Sequence, residues 1–336
     1  MIARPLPPLV ATMGDPAGVG PELLVRAWEN RHAANLPPFF VVGSASVLRD
    51  AARQLDSDAP IVAVDNADEA VEHFATALPV LDLASGSYAP GCPTREGAII
   101  ARDTLAHACD LVLAGTASGL VTGPIAKAAM QEIGFAGPGQ TEFVAQACGV
   151  APADAVMMLA GPSLRVLPLT VHVALEQVPQ MLDRQLIERR ITIAAAALSR
   201  DFGIDRPRIA VAGLNPHAGE QGQLGQQEVT TIAPAIATLR AAGIDATGPF
   251  AADTMFHAAG RARYDLAACM YHDQALIPLK ALHFDEGVNV TLGLPIVRTS
   301  PDHGTAFSIA GLRKASAGPT LAALKMAGEI ARRRTA

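Results

Sequence analysis

Three of the nine histidines share one local setting. His172 closes the run RVLPLTVH, His217 follows RIAVAGLN in NPHAGE, and His272 follows DLAACMY and opens HDQALIPLK. In each case a short apolar, β-prone run ends a few positions earlier. Each imidazole is therefore expected in a loop just past the carboxyl end of a strand, where open α/β sheets hold their ligands. Three neutral imidazoles can hold a divalent ion and leave positions open for a substrate oxygen. Any one of them taken singly is more often an ordinary loop or capping residue, so the expectation of a shared ion rests on the recurrence of the setting. His32, His73 and His107 lie in polar or helical surroundings, His257 and His283 flank the third histidine's region, and His303 belongs to a Gly-containing loop before a helix.

A second group of residues could hold anions. Lys280, Asn289 and Arg298 lie downstream of His272 among apolar neighbours (ALIPLKAL, VNVTLGLPIV). Cationic and amide groups in such surroundings need partners. A phosphate and a carboxylate would supply them, with Arg298 able to grip either in a forked pair; acidic side chains of the protein itself are the alternative. The turn GPGQTE runs into EFVAQACG, so that Gln140 and Thr141 present donors at a helix start; the plainer reading is an N-cap at Thr141. GDPAGVGPE, residues 14–22, lies between the strand-like LVATM and a helix, and its glycines (Gly14 the first) would let backbone approach a ligand. Neither a GxGxxG fingerprint nor a GxxxxGKS phosphate loop is present.

The elements that must position these groups alternate along the chain. PPFFVVGS, DLVLAGT, LRVLPLTVH, RIAVAGLN and YDLAACMYH read as strands, whereas PELLVRAWEN, LIERRITIAAAALSRDFG, EVTTIAPAIATLRAAG and PTLAALKMAGEIARRR read as helices. That alternation predicts mostly parallel sheet with helices on its faces. With 336 residues, 50% hydrophobic and 17% charged, the chain can bury a large core and suits two α/β domains. Breaks near 135–140 (GFAGPGQTE) and near 300 (RTSPDHGTAF) are the expected crossings, giving residues 1–135 plus 300–336 as one domain and 136–299 as the other. A net charge of −6 without a long basic run speaks against a nucleic-acid groove or an anionic membrane surface. The N-terminus lacks a signal-peptide apolar region, no apolar run is long enough to span a bilayer, and Cys92, Cys109, Cys148 and Cys269 are scattered with no CxxC pair. A cytoplasmic protein with reduced thiols is expected.

The segments GDPAGVGPE, VTGPIAK, TEF, NPHAGE, ADTMF, MYHDQ, GVNVTLGLPIVRTSPDHGTA and IAG, spread in order from residue 14 to about 311, resemble the 4-hydroxythreonine-4-phosphate dehydrogenase family, NAD-dependent enzymes of vitamin B6 synthesis. GDPAGVGPE and DHGTAFSIAG are also similar to the cofactor loops of isocitrate and isopropylmalate dehydrogenases. The resemblance implies two α/β/α domains with the active site in the interdomain cleft of a homodimer. It implies a divalent ion (zinc, magnesium, manganese or cobalt) on His172, His217 and His272, shared between two subunits, and substrate contacts from Thr141, Lys280, Asn289 and Arg298. Asp253, in ADTMF, becomes a candidate polar active-site group, with it or Lys280 a candidate for proton transfer. Gly14, Asp15 and His303, Gly304, Thr305 through Ala306 would border NAD or NADP. The family usually carries His where this chain has Gln140; an amide can still donate a hydrogen bond, which keeps a positioning role and removes an acid–base one.

The activity so implied is oxidation of 4-phosphooxy-L-threonine at C3 with decarboxylation to 3-amino-2-oxopropyl phosphate. Two alternatives stand beside it. One is a dehydrogenase of 4-phosphorylated D-threonate or erythronate, of the same architecture but with no substrate amine. The other is a phosphate acyltransferase, which shares a related fold but needs no bound metal.

Overall fold

The structure is a computed structural model that describes residues 6–135 and 139–335. Its strands in chain order are β1 (Leu9–Thr12), β2 (Phe39–Gly43), β3 (Ile61–Val64), β4 (Leu78–Asp82), β5 (Leu120–Thr122), β6 (Val156–Gly161), β7 (Leu164–Pro168), β8 (Ile209–Ala212), β9 (Ala246–Phe250), β10 (Leu266–Cys269), β11 (Val288–Leu292) and β12 (Arg298–Pro301). The chain divides into two compact units, Met1–Ala155 with Leu294–Ala336, and Val156–Gly293. The protein is of the α/β class.

In the first unit the strand order is β3-β4-β2-β1-β5-β12, and each of these pairs is parallel. β1, β2, β5 and β12 are buried along their whole length, and β2 (FFVVG) accordingly reads as an unbroken apolar run rather than an alternating one. Helix Arg95–Leu113 covers β1 and β2. It starts where Thr94 accepts a hydrogen bond from the Gly97 N–H. Its Ala98, Ala101, Leu105, Ala108, Cys109 and Val112 join Val10, Phe40, Val42 and Leu120 in one buried cluster. Each large aliphatic side chain so buried stabilises the fold by about 1.5–3 kcal/mol. The run DLVLAGT, expected as a strand, is the last turn of this helix and the turn after it. The apolar positions recur at helical spacing from Ala98 onward, and that period wins over the local β-prone run.

In the second unit the order is β11-β6-β7-β10-β8-β9. β7/β10, β10/β8 and β8/β9 are parallel, whereas β11/β6 and β6/β7 are antiparallel. Helix Arg184–Phe202 is capped by Asp183, which accepts from Leu186 N–H, and ends at Gly203 with φ 66°. Helix His272–His283 packs on β7, β10 and β6, its Ala275, Leu276 and Leu279 buried with Leu159, Val166 and Ala267.

The crossings between the units lie at 155/156 and 293/294, later and earlier respectively than the breaks at 135 and 300 read from the sequence. Gln140, Thr141 and Arg298 accordingly sit in the first unit and not with the histidines in the second. The reason is that Arg298 begins β12, which completes the first sheet beside β5. Residues 136–138 of the break GFAGPGQTE are outside the described residues.

Candidate functional site

β7, β10 and β8 are adjacent, parallel neighbours in the second unit, so their carboxyl ends lie side by side. The loops leaving those ends carry His172, His272 and His217 respectively. His172 (φ 55°) and His217 (φ 52°) both hold the left-handed backbone conformation that non-glycine residues rarely adopt. His217 opens a run, through Ala218, Gly219 and Glu220 to Gln221, in which every φ is positive. Such strain persists only where surrounding structure imposes it, and it concentrates at functional sites. The rings of His172 and His272 have centroids 5.8 Å apart and face a cavity of about 290 Å³ that Thr170, Tyr271 and Asp273 also line. His272 Nδ1 pairs with Asp273 Oδ1 at 2.6 Å, the arrangement in which a carboxylate orients an imidazole and leaves its other nitrogen for a ligand. Among the described residues no three His, Cys, Asp or Glu side chains of one chain converge closely enough to hold an ion. Imidazole donors of this kind suit a divalent ion, and His172 and His272 are the two that line one cavity.

In the first unit Arg298 is 3% exposed. Its Nη2 donates to Thr122 Oγ1 at 2.8 Å and to Gln140 Oε1 at 3.3 Å, and its Nη1 to Thr141 Oγ1 at 3.4 Å. Burial pushes its pKa down to about 10, against the neighbouring Cys109 and Glu142, which favour the charged form. It remains a cation at neutral pH. A buried guanidinium can grip phosphate or carboxylate through paired N–H groups. Gln140 Nε2 donates to the Gly123 carbonyl at 2.9 Å, so its amide is tied at both ends to the protein. Gln140 thus supports Arg298, and the second Nε2 hydrogen remains able to donate to a substrate. Thr141 is the second residue of helix Gln140–Ala147 and not its N-cap, which is Gly139.

The two stretches expected at the cofactor pack on each other in the first unit. Val19 N–H donates to Thr305 O at 3.0 Å, and Glu22, fully buried, accepts from Gly311 N–H and Tyr88 Oη–H. Gly14 has φ 71°, and a Cβ there would strike the Pro124 carbonyl. Asp15 is 1% exposed; Oδ1 accepts from Ala17 N–H at 2.9 Å, and Oδ2 is buried with no hydrogen-bond partner. Burial raises the Asp15 pKa against the lowering effect of the Ala17 N–H. His303 Nδ1 donates to Gly304 O at 2.9 Å while Nε2 is buried without a partner. Orphaned polar atoms at Asp15 Oδ2 and His303 Nε2 suit a polar ligand against these loops.

Of the remaining candidates, Asp253 is exposed in the turn Ala252–Thr254, Lys280 is half-buried on helix His272–His283, and Asn289 on β11 has a buried Oδ1 with no hydrogen-bond partner. Residues that sequence reasoning passed over are Thr122, Glu22, Gln274 and Glu228. Gln274 and Glu228 are buried polar side chains in helical turns, and a polar residue at a position whose helical neighbours are apolar was the available signal.

A family model described as "Pyridoxal phosphate biosynthetic protein PdxA" matches residues 35–327. The chain is 57% identical over 333 residues to a 4-hydroxythreonine-4-phosphate dehydrogenase of Erythrobacter litoralis, covering 99% of each chain. It is 51% identical over 330 residues to the protein of that name in Zymomonas mobilis, covering 98% of this chain and 97% of the relative. Among solved structures, a 4-hydroxythreonine-4-phosphate dehydrogenase from Klebsiella pneumoniae aligns with a TM-score of 0.85 at 36% identity, over 98% of this chain and 99% of that one. A family match over most of the chain, with relatives so similar from end to end, shows that the chain belongs to the pyridoxal phosphate biosynthetic PdxA family.

Proposed function

We propose that this protein is an NAD-dependent (or NADP-dependent), divalent-metal-dependent dehydrogenase that oxidises 4-phosphooxy-L-threonine at C3, with loss of carbon dioxide to give 3-amino-2-oxopropyl phosphate, in the formation of pyridoxal 5'-phosphate. The observation that carries the reading is the pair of imidazoles, His172 and His272, 5.8 Å apart on one cavity wall, in a chain alike throughout to relatives of that name. His217 completes the ligand set, and a homodimer with ligands drawn from both subunits accounts for a single chain that assembles only two. Arg298 binds an anionic end of the substrate through its guanidinium, kept in place by Thr122, Thr141 and Gln140. Lys280 and Asn289 are further substrate-binding groups, and Lys280 or Asp253 takes the hydroxyl proton. Gly14, Asp15 and the segment His303–Thr305 border the dinucleotide.

When bound, the ion supplies Lewis acidity to the C3 oxygen and the dinucleotide accepts hydride. The C3 hydroxyl lies β to the carboxylate, so its oxidation gives a β-keto acid. The C–C bond to the carboxylate then breaks, because the adjacent carbonyl takes up the electron pair. Asp273 on His272 Nδ1 fixes which nitrogen of that ring is available. Membership of this family disfavours phosphate acyl transfer. The phosphorylated threonate enzyme is distinguished by its product, which carries hydroxyl in place of amine. Incubation of the protein with carboxyl-labelled 4-phosphooxy-L-threonine and NAD should release labelled carbon dioxide, form one NADH per turnover and leave an aminoketone phosphate. NADH formation only with the threonate or erythronate substrate would move the assignment to that enzyme, and none with either would overturn the dehydrogenase reading.

A further inference from the structure

The three histidine loops are not merely neighbours; one side chain joins two of them, and one backbone residue gathers the third. Gln274, 9% exposed, is the third residue of helix His272–His283. Its Oε1 accepts from Met270 N–H at 2.7 Å, and its Nε2 donates to the Gly213 carbonyl at 2.8 Å. Because one partner can only donate and the other only accept, the orientation of the amide is fixed. Met270 lies two residues before His272, and Gly213 four before His217. The Met270 carbonyl in turn accepts from Thr170 Oγ1 at 2.8 Å, and Thr170 lies two residues before His172. Thr170, Met270, Gln274 and Gly213 therefore form an unbroken line of hydrogen bonds across the ends of β7, β10 and β8. Glu228 closes its far end. It accepts from the Leu214 and Asn215 N–H groups at 2.8 Å each and from Asn215 Nδ2 at 2.9 Å. Burial alone would raise its pKa, but those hydrogen bonds prevail and lower it.

We infer that Gln274 is a positioning residue that sets the placement of the His217 loop against the His272 loop, and so the affinity of the site for its ion. This rests on the metal reading proposed above. Both hydrogen bonds of the side chain go to backbone groups, so it acts through the backbone of both loops. Buried hydrogen bonds of this kind hold metal ligands in the geometry they need, and their loss typically weakens metal binding by about 10–100-fold.

The test uses the full-length protein and two variants. Gln274→Met keeps the bulk and removes both hydrogen bonds; Gln274→Glu keeps an acceptor for Met270 and has no N–H for Gly213. In metal-free protein, amide hydrogen exchange should quicken in both 213–217 and 268–272 for Gln274→Met, and in 213–217 alone for Gln274→Glu. Titration with Co²⁺, followed by its visible absorption, should show affinity lowered about tenfold or more in Gln274→Met, with an altered spectrum. Wild-type exchange in both segments together with wild-type Co²⁺ affinity in Gln274→Met would overturn the inference. A Gln274→Met chain that fails to fold leaves the Gln274→Glu exchange pattern to decide, and unchanged exchange at 213–217 there also overturns it. His172→Ala is the control for the reading beneath: if it binds Co²⁺ as wild type does, the metal reading fails, while the exchange result still decides whether Gln274 joins the loops.

Discussion

At the scale of single residues, three of those that looked able to bind anions, Arg298, Gln140 and Thr141, are tied together by hydrogen bonds. Arg298, Gln140 and Thr141 were legible because charge and amide among apolar neighbours need an explanation. Thr122 was not, because a threonine in an apolar run is what any strand contains. The arrangement makes Gln140 a brace between Gly123 and Arg298. Gln140→Ala should therefore raise the Michaelis constant for the phosphorylated substrate by about one to two decades with kcat nearly unchanged, the scale of one lost hydrogen bond to a charged group. Gln140→His should be active, since a neutral imidazole offers one donor and one acceptor to the same two partners. Steady-state kinetics checks both, and a collapse of kcat in the alanine variant would mean that Gln140 does more than brace. Asp15 makes a prediction of opposite kind. Its pKa is raised in the folded protein, so the folded state binds the proton more tightly than the unfolded chain, and stability falls as pH rises from about 4 through the raised value. Asp15→Asn removes the ionisable group, so it should melt above wild type at pH 7, with the advantage shrinking as pH approaches about 4. Thermal unfolding across that range checks it; an advantage independent of pH would show that the carboxyl charge is not the cause. The same variant should bind NAD more weakly if the buried carboxylate meets the cofactor.

At the scale of elements, the strands that carry the histidines were legible because each is a short apolar run closed by a polar loop, and β7, β8 and β10 all fall where expected. Those that escaped are the short ones whose partners lie far along the chain, such as β12, whose RTSP has no β-prone composition of its own and is a strand because β5 pairs with it. The left-handed run from His217 to Gln221 was equally hidden: only Gly219 and Gly222 hint at positive φ there. Glu228 imposes the entry to that run through the Leu214 and Asn215 amides, an interaction between residues more than three helical turns apart in sequence that no local pattern reveals. A consequence can be measured at Ala218, which has φ 52°. Alanine to glycine ordinarily destabilises, by about 0.5–1 kcal/mol in a helix interior. Here the substitution relieves a left-handed conformation costing about 1–2 kcal/mol, partly offset by the greater entropy of the unfolded chain. Ala218→Gly should therefore stabilise the protein by about 0.5–1 kcal/mol in a denaturant titration. Destabilisation of that size instead would mean that the conformation is not strained.

At the scale of the whole molecule, the α/β class follows from the alternation of apolar runs and helical stretches, and the sequence showed two units but misjudged their limits. Composition changes little at Ala155 and Leu294, so nothing local announces the crossings; a loop's glycines and prolines are more conspicuous than a boundary. Among the described residues no helix is long and apolar enough to cross a membrane. A site completed by two subunits should show itself in mixtures. His172→Ala, His217→Ala and His272→Ala are each expected to be inactive alone, and, co-refolded in pairs, a pair whose residues enter one site from different subunits should regain up to about a quarter of wild-type activity, the value for one repaired site in the half of dimers that are mixed. No recovery in any pair, with subunit exchange demonstrated by differently tagged chains, would place all three ligands of a site on one chain. Finally, the second unit is one uninterrupted stretch, whereas the first is made of two, and β5 must wait for β12, with Thr122 and Arg298 bonded across 176 positions. A ribosome delivers the chain from its amino end, so every strand of the second unit has been synthesised before the strand that finishes the first sheet. The part encoded in the middle is thus free to fold ahead of the part encoded at the start, and the growing polypeptide carries an unfinished sheet edge, that of β5, until the segment from Arg298 to the end is made.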